Sequence, residues 1–425
     1  MSRTKRKYEV IGQGKYGCVH KPSLRCTKTP KNMTYKNKLS KIMKKKYAEI
    51  ELDEYAVMQK IDNKQRFYLG TPIQCSPKHT RETIQSLRKC DYLRASKIND
   101  YELLIMENGG NNLKMFANCV SSYVFQNSED DTHNCASFPN GQKTNRLKKG
   151  EQIMKQFWNE SNRLFLGLIV LQKNNIIHQD LKPQNIVYDI KKERVNFIDF
   201  GLMTTIKEIR KLGMESTYNN TEPHWSFPPE IVFMNQSKFK NLGDNRQQEF
   251  DNFISDIENP EGHINYFMEV TVPDYYKKRK SATIQQHITN YHTMLFDELP
   301  RHSYDIFMTR IMETFDVYGL GISLLYVLNK TAKLIHKEMA HELHSLFLHM
   351  IHFNVFRRIR PVEAQRKYES IMKKYNGLSA KQHTVSFISS SKAKKKREKR
   401  LRKTIRQLHI SDSVVTPEMI NHSNA

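Results

Sequence analysis

The chain has 425 residues, with 69 Lys and Arg against 44 Asp and Glu, a net charge of +25. That length holds one large domain or two to three small ones, 38% apolar residues suffice for a sizeable core, and the charge points to acidic partners: nucleic acid, an acidic membrane surface or acidic proteins. None of the six cysteines stands in a Cys-x-x-Cys pair, which argues against zinc and predicts free thiols in a reducing, cytoplasmic compartment, and the longest apolar run near the centre, Leu164 to Leu171, is far too short to span a bilayer.

A short basic tail, residues 1–7, leads into Tyr8-Glu9-Val10-Ile11-Gly12-Gln13-Gly14-Lys15-Tyr16-Gly17-Cys18-Val19. Apolar residues flank three glycines spaced Gly-x-Gly-x-x-Gly, a pattern that lets backbone amides approach phosphates closely. Val19 and the following Pro22 read as a returning strand, whereas a dinucleotide-binding fold needs a helix there. Residues 22–37 are polar and basic, an insert between strands, and Lys38 to Met43 follows as a strand. Glu49 to Ile61 reads as an amphipathic helix with Ile50, Val57, Met58 and Ile61 on one side. Thr71-Pro72 and Ser76-Pro77 mark turns, and Tyr101 to Met106 is a strand followed by Glu107-Asn108-Gly109-Gly110.

Residues 118–149 are rich in Ser, Asn and Asp and read as a surface loop. Gln152 to Leu171 is a long helix with a core stripe of Ile153, Phe157, Leu164, Leu168 and Leu171. It delivers the most informative stretch, His178-Gln179-Asp180-Leu181-Lys182-Pro183-Gln184-Asn185, then Ile186-Val187-Tyr188, a polar turn, and Val195 to Asp199-Phe200-Gly201. Two short strands would hold two polar clusters side by side. Asp180 can accept a hydroxyl proton, while the Asn185 amide oxygen and the Asp199 carboxylate suit a hard cation such as Mg2+. Pro228-Pro229-Glu230 comes later, then a polar stretch over 231–310, then an apolar helix around Phe315-Asp316-Val317-Tyr318-Gly319 and Leu324-Leu325. Beyond Tyr375, Lys392 to Arg406 carries ten Lys and Arg and one acid. Such a run is solvated, or binds nucleic acid or an acidic membrane.

His178 to Asn185 together with Asp199-Phe200-Gly201, in that order and about twenty residues apart, resembles the catalytic loop and metal-binding triplet of the eukaryotic protein kinases. The resemblance covers roughly residues 8–375. It implies an α+β, two-lobed fold: residues 8–107 as an antiparallel N-lobe with an insert near 22–37, residues 108–375 as a mainly helical C-lobe with inserts near 118–149 and 231–310, and residues 376–425 as a basic tail. It implies ATP with Mg2+ or Mn2+ as cofactors and a protein substrate with a Ser or Thr acceptor. Ile11, Gly12, Gly14, Gly17 and Val19 would cover the nucleotide, and Lys41 would hold its phosphates, with Lys21 and Lys38 as rivals. Glu54 would pair with that lysine, with Glu51 as runner-up. Met106 would be the gatekeeper, and the Glu107 carbonyl and Gly109 amide would meet adenine. Asp180 would be the base, Lys182 would neutralise the transferred phosphate, and Asn185 and Asp199 would bind metal. Glu230 would pair with Arg360, and Asp316 would hold the catalytic-loop backbone.

Two departures stand out. Gln179 replaces the arginine common in the catalytic loop, so a phosphorylated activation segment could not be clamped by charge. Thr221 to Ser226 fits the Gly-Thr-x-x-Tyr segment poorly, which leaves peptide specificity open. The glycine-loop phrasing and the inserts also resemble kinases of large nucleocytoplasmic DNA viruses, which would imply host cytoplasm or virion. Readings from other classes are a pseudokinase scaffold, a nucleic-acid-binding protein acting through its tail, and a kinase for lipids or small molecules.

Overall fold

The computed structural model describes residues 8–14, 16–90, 97–125, 135, 143–219, 224–271 and 280–376. Residues 1–375 form one compact unit. The second unit, residues 376–425, holds the basic run 392–406, which lies outside the described residues, as does the tail 1–7.

The chain opens with β1 (Glu9–Gly14), β2 (Gly17–Lys21) and β3 (Lys38–Lys44), then α1 (Lys45–Ile61), β4 (Ile73–Cys75), α2 (Arg81–Leu87) and β5 (Tyr101–Glu107). The strands form one antiparallel sheet in the order β1-β2-β3-β5-β4. Register gives the sheet two faces, because neighbouring residues along a strand point to opposite sides. Cys18, Ile42, Leu103 and Ile105 lie on one face, under a small core completed by Leu24, Cys26, Leu87 and Cys90. Val19, Lys41 and Leu104 are cross-strand partners on the other. Gly17 is required where it sits, since a Cβ there would lie 2.6 Å from the Ile42 carbonyl oxygen.

The expectation of free thiols is overturned. Cys26 bonds Cys75 (S–S 1.99 Å), Cys119 bonds Cys135 (2.02 Å), and Cys18 pairs with Cys90. The partners are 72, 49 and 16 residues apart, so only the folded chain brings their Cα atoms to 5.4–6.1 Å, within bridging range.

Below the sheet come β6 (Asn111–Asn112), α3 (Leu113–Phe125), α4 (Lys143–Lys173), β7 (Ile176–Ile177), β8 (Ile186–Asp189), β9 (Arg194–Phe197), β10 (Thr204–Thr205) and α5 (Ile206–Met214). The 118–149 loop expectation is corrected at both ends. Residues 118–125 continue α3, and α4 begins at Lys143, nine residues before the expected start. A three-stranded sheet, β6-β8-β9, and a two-stranded one, β10-β7, fix the loops between them.

The polar stretch 231–310 folds into α6 (Gln236–Glu258), α7 (His263–Thr271), α8 (Lys280–Thr293) and short turns. Its last residues begin α9 (Tyr304–Thr331), and α10 (Lys337–Met350) and α11 (Pro361–Asn376) come after. α9 starts eleven residues before Phe315, capped by Ser303, whose hydroxyl accepts from the Ile306 N–H at 3.3 Å. By length and composition the segment Tyr304–Leu334 could cross a membrane, but 83% of its most apolar window is buried inside the fold. It is the central core helix, against which α3, α7 and α10 pack.

The expected Glu230–Arg360 pair is also corrected. Arg358 meets Glu230 at 2.8 Å with both side chains fully buried, whereas Arg360 is exposed and pairs with Glu313 at 2.8 Å.

Candidate active site

Lys41 enters the cleft from β3, and its Nζ lies 2.5 Å from Glu51 Oε2 and 3.7 Å from Asp199 Oδ1. Burial opposes the ammonium charge, but Asp199 and Glu51 outweigh it and raise the Lys41 pKa. Lys21 ends β2, and Lys38 pairs with Glu107, so neither rival occupies this position.

Glu51, not Glu54, is the partner. The buried face of α1 is Ala48, Glu51, Tyr55 and Met58, while the expected core residues Ile50 and Val57 are exposed. Spacings of three and four place those four residues in one helical row. Glu54 stands one turn along with a buried, unpartnered Oε2. Its pKa rises to about 8 through burial, with Glu51 and Asp199 adding repulsion.

A column of rings sets the Asp199 turn. Tyr68 lies 6.4 Å from Tyr55, Tyr55 meets Phe200 edge-on at 5.3 Å, and Phe200 lies 5.3 Å from His178. Phe200 is fully buried, and Asp199 takes φ +59°, which turns its carboxylate toward Lys41. Lys41 in turn lowers the Asp199 pKa. The ring column was not anticipated; Tyr55, four residues after Glu51 on the same face, was its signal.

The column stands on α9. Asp316 accepts from the backbone N–H groups of His178 (2.8 Å) and Gln179 (3.0 Å), as expected. Gly319, one turn on, is where α9 touches the catalytic loop, and any side chain there would collide with the Leu181 backbone. These contacts set Asp180 beside two donors. Lys182 Nζ reaches its carboxylate oxygens at 2.8 and 2.9 Å, and Asn185 Nδ2 donates to Asp180 Oδ2 at 2.7 Å and to its carbonyl at 2.8 Å.

The cleft roof is the β1–β2 hairpin. Ile11 and Val19 are half-buried, a Cβ on Gly12 would touch Val19, and Gly14 has open space around it. The back of the cleft is β5 and the residues after it. Met106 is half-buried and pairs in register with Leu39, and Gly109 packs between Leu69 and Val187. Of the expected site residues, the structure thus brings Lys41, Asp180, Lys182, Asn185 and Asp199 together, and replaces Glu54 by Glu51.

Gln179 does what no arginine is needed for. Its side chain is buried, its Nε2 donates to the Leu202 carbonyl at 2.6 Å, and its Oε1 accepts from the Tyr218 hydroxyl at 2.6 Å. The segment after Asp199 is therefore tethered by neutral hydrogen bonds.

The family model "Protein kinase domain" matches residues 73–244, which include the catalytic loop and the metal-binding triplet. Extracellular signal-regulated kinase 7 of Drosophila melanogaster is 28% identical over 169 residues, 37% of this chain and 16% of that protein. Calcium-dependent protein kinase 4 of Plasmodium falciparum is 36% identical over 53 residues, 12% of this chain and 10% of that protein. The chain spans less than a fifth of the length of these curated relatives. With the matched domain and a two-lobed fold that holds the Lys41–Glu51 pair, the Asp199 turn and the Asp180 loop, the chain is similar to the eukaryotic-type protein kinases over residues 73–244.

Proposed function

We propose that the protein is an ATP-dependent serine/threonine protein kinase. The observation that carries this reading is that Lys41, Glu51 and Asp199 form one charged cluster and Asp180, Lys182 and Asn185 another, with Lys182 within electrostatic reach of Asp199. Catalysis of phosphoryl transfer is largely positioning and charge stabilisation, and each of these groups has a part in it. Lys41, kept charged by its two carboxylates, would hold the phosphates. Asp180, oriented by Asn185, would take the acceptor proton. Lys182 would shift from Asp180 to the transferred phosphate as negative charge collects there.

The donor set fits Mg2+ (or Mn2+) carried with ATP. Asn185 spends its amide nitrogen on Asp180, which leaves its oxygen for a cation, and Asp199 offers a half-exposed carboxylate. Among the described residues no group of three or more His, Cys, Asp or Glu could hold a metal alone. That agrees with a cation that takes its remaining oxygens from phosphates and water. When bound, such a cation would neutralise charge on the phosphates.

The Asp180-x-Lys182 spacing supports Ser/Thr rather than Tyr as acceptor. The test is transfer of labelled γ-phosphate to a mixed protein panel, followed by acid hydrolysis. Labelled Ser or Thr is expected, and label confined to Tyr would refute the assignment. The basic run 392–406 is proposed as a separate handle for an acidic partner, nucleic acid or membrane. Deleting residues 391–425 should abolish such binding and spare phosphate transfer.

A further inference from the structure

The helical insert reaches the loop that precedes Pro228. Asp256, near the end of α6, accepts from the backbone N–H of His263 at 3.2 Å and of Ile264 at 2.5 Å, which fixes the start of α7. Ile264, Phe267 and Met268 are buried, and Phe267 stacks on Tyr318 of α9 at 5.9 Å. His263 and Tyr266, three residues apart and so neighbours on one face, remain exposed. That face meets the activation segment. The His263 ring is 5.9 Å from His224, and Tyr266 meets Trp225 edge-on at 5.3 Å. Phe227 packs on Phe315 of α9 and anchors the loop from below.

His224 joins this wall to the catalytic loop, since it lies within electrostatic reach of Lys182 and Asp180. Its Nδ1 accepts the Ser226 backbone N–H at 3.3 Å and lies 2.7 Å from Ser226 Oγ. A backbone N–H can only donate, so Nδ1 carries no proton, and the neutral tautomer assigned from this bond places the hydrogen on Nε2. Burial, with Lys182 and His263 adding, lowers the His224 pKa to about 4, which keeps the ring neutral near pH 7.

We propose that α7 is part of the acceptor site. His263 and Tyr266 position His224 and Trp225, and the resulting aromatic wall selects a polypeptide with an aromatic side chain next to the reactive hydroxyl. This inference deepens the kinase reading and rests on it. Edge-to-face ring contacts of the kind Trp225 makes with Tyr266 also suit a third ring, and they discriminate against a charged neighbour that the wall would desolvate.

The experiment uses the full chain and peptides that vary only beside the acceptor residue. Wild type is expected to prefer Phe, Tyr or Trp over Asp at that position. Tyr266→Ala and His263→Ala should each raise the acceptor KM about 3- to 10-fold, the value of one ring contact. Their kcat and their KM for ATP should hold within about twofold. Tyr266→Phe, which keeps the ring, should retain the wild-type acceptor KM. An unchanged acceptor KM in Tyr266→Ala, a kcat that falls with it, or no aromatic preference in wild type would overturn the inference alone. A folded wild type that transfers no phosphate to any acceptor would overturn the kinase reading and this inference together.

Discussion

Arg358 and Glu230 meet at 2.8 Å with neither side chain exposed to solvent. The guanidinium also donates Nε to the His352 carbonyl at 3.0 Å and lies over the Tyr318 ring. The pair thus ties the end of the activation segment to the loop before α11. Glu230→Ala leaves a buried cation without its anion, and equilibrium unfolding should show a loss of about 3–5 kcal/mol. Arg360→Ala removes only the surface pair with Glu313, for a loss of less than about 1 kcal/mol.

The two glutamates on α1 should separate cleanly. Glu51→Gln removes the carboxylate 2.5 Å from Lys41, and initial rates should show kcat/KM falling by about 100-fold or more. Glu54→Gln changes a group that makes no hydrogen bond to Lys41, and its kcat/KM should fall less than about fivefold. A larger loss from Glu54→Gln would reverse the assignment.

The neutral tether at Gln179 predicts activity without activation-segment phosphorylation. Phosphatase-treated protein should keep its rate within about twofold, because Gln179 tethers the segment without charge. Ser and Thr residues from Thr204 to Ser226 replaced singly by Ala should each retain activity. Tyr218→Phe should cost about 1–3 kcal/mol in unfolding experiments, since it strips the donor from a buried amide oxygen.

Two buried histidines should each weaken the fold in acid, against the opposite contribution of Glu54, whose raised pKa favours the folded chain as it takes up its proton. Burial lowers His20 to about 4 and His287 to about 3, from an ordinary 6.5. Both are buried and neutral when folded, so the unfolded chain binds more protons below pH 6.5, and stability falls as pH falls. The loss is fully developed only below the folded values, and each ring should cost roughly 2 kcal/mol at pH 5 relative to pH 7.5. Urea midpoints at the two pH values measure it. His287→Gln should flatten the dependence by that ring's share.

The catalytic loop and the Asp199 turn were legible because their residues are local in sequence and each position has one chemical task. Lys41 was legible from its place on a strand. Its partner was not, because Glu51 and Glu54 are one helical turn apart and the apolar Ile50 and Val57 pointed to the wrong face. Arg358 and Arg360 present the same difficulty. Both sit beside the start of α11, and only packing decides which one is buried. The helices of the 231–310 insert were hidden by polarity, since the 23 residues of α6 bury only Leu242 and Phe253. The cysteine pairs depend on contacts 16 to 72 residues apart, which no local spacing reveals.

The most direct measurement is transfer of the γ-phosphate of Mg-ATP by the wild-type chain and by Asp180→Asn, with nucleotide binding measured on both. Transfer by wild type, with a loss of about 1,000-fold or more in the variant and unchanged nucleotide binding, is the predicted result. Equal transfer by both would contradict the role of Asp180. A folded wild type that binds Mg-ATP but transfers nothing would contradict the central claim and favour a scaffold.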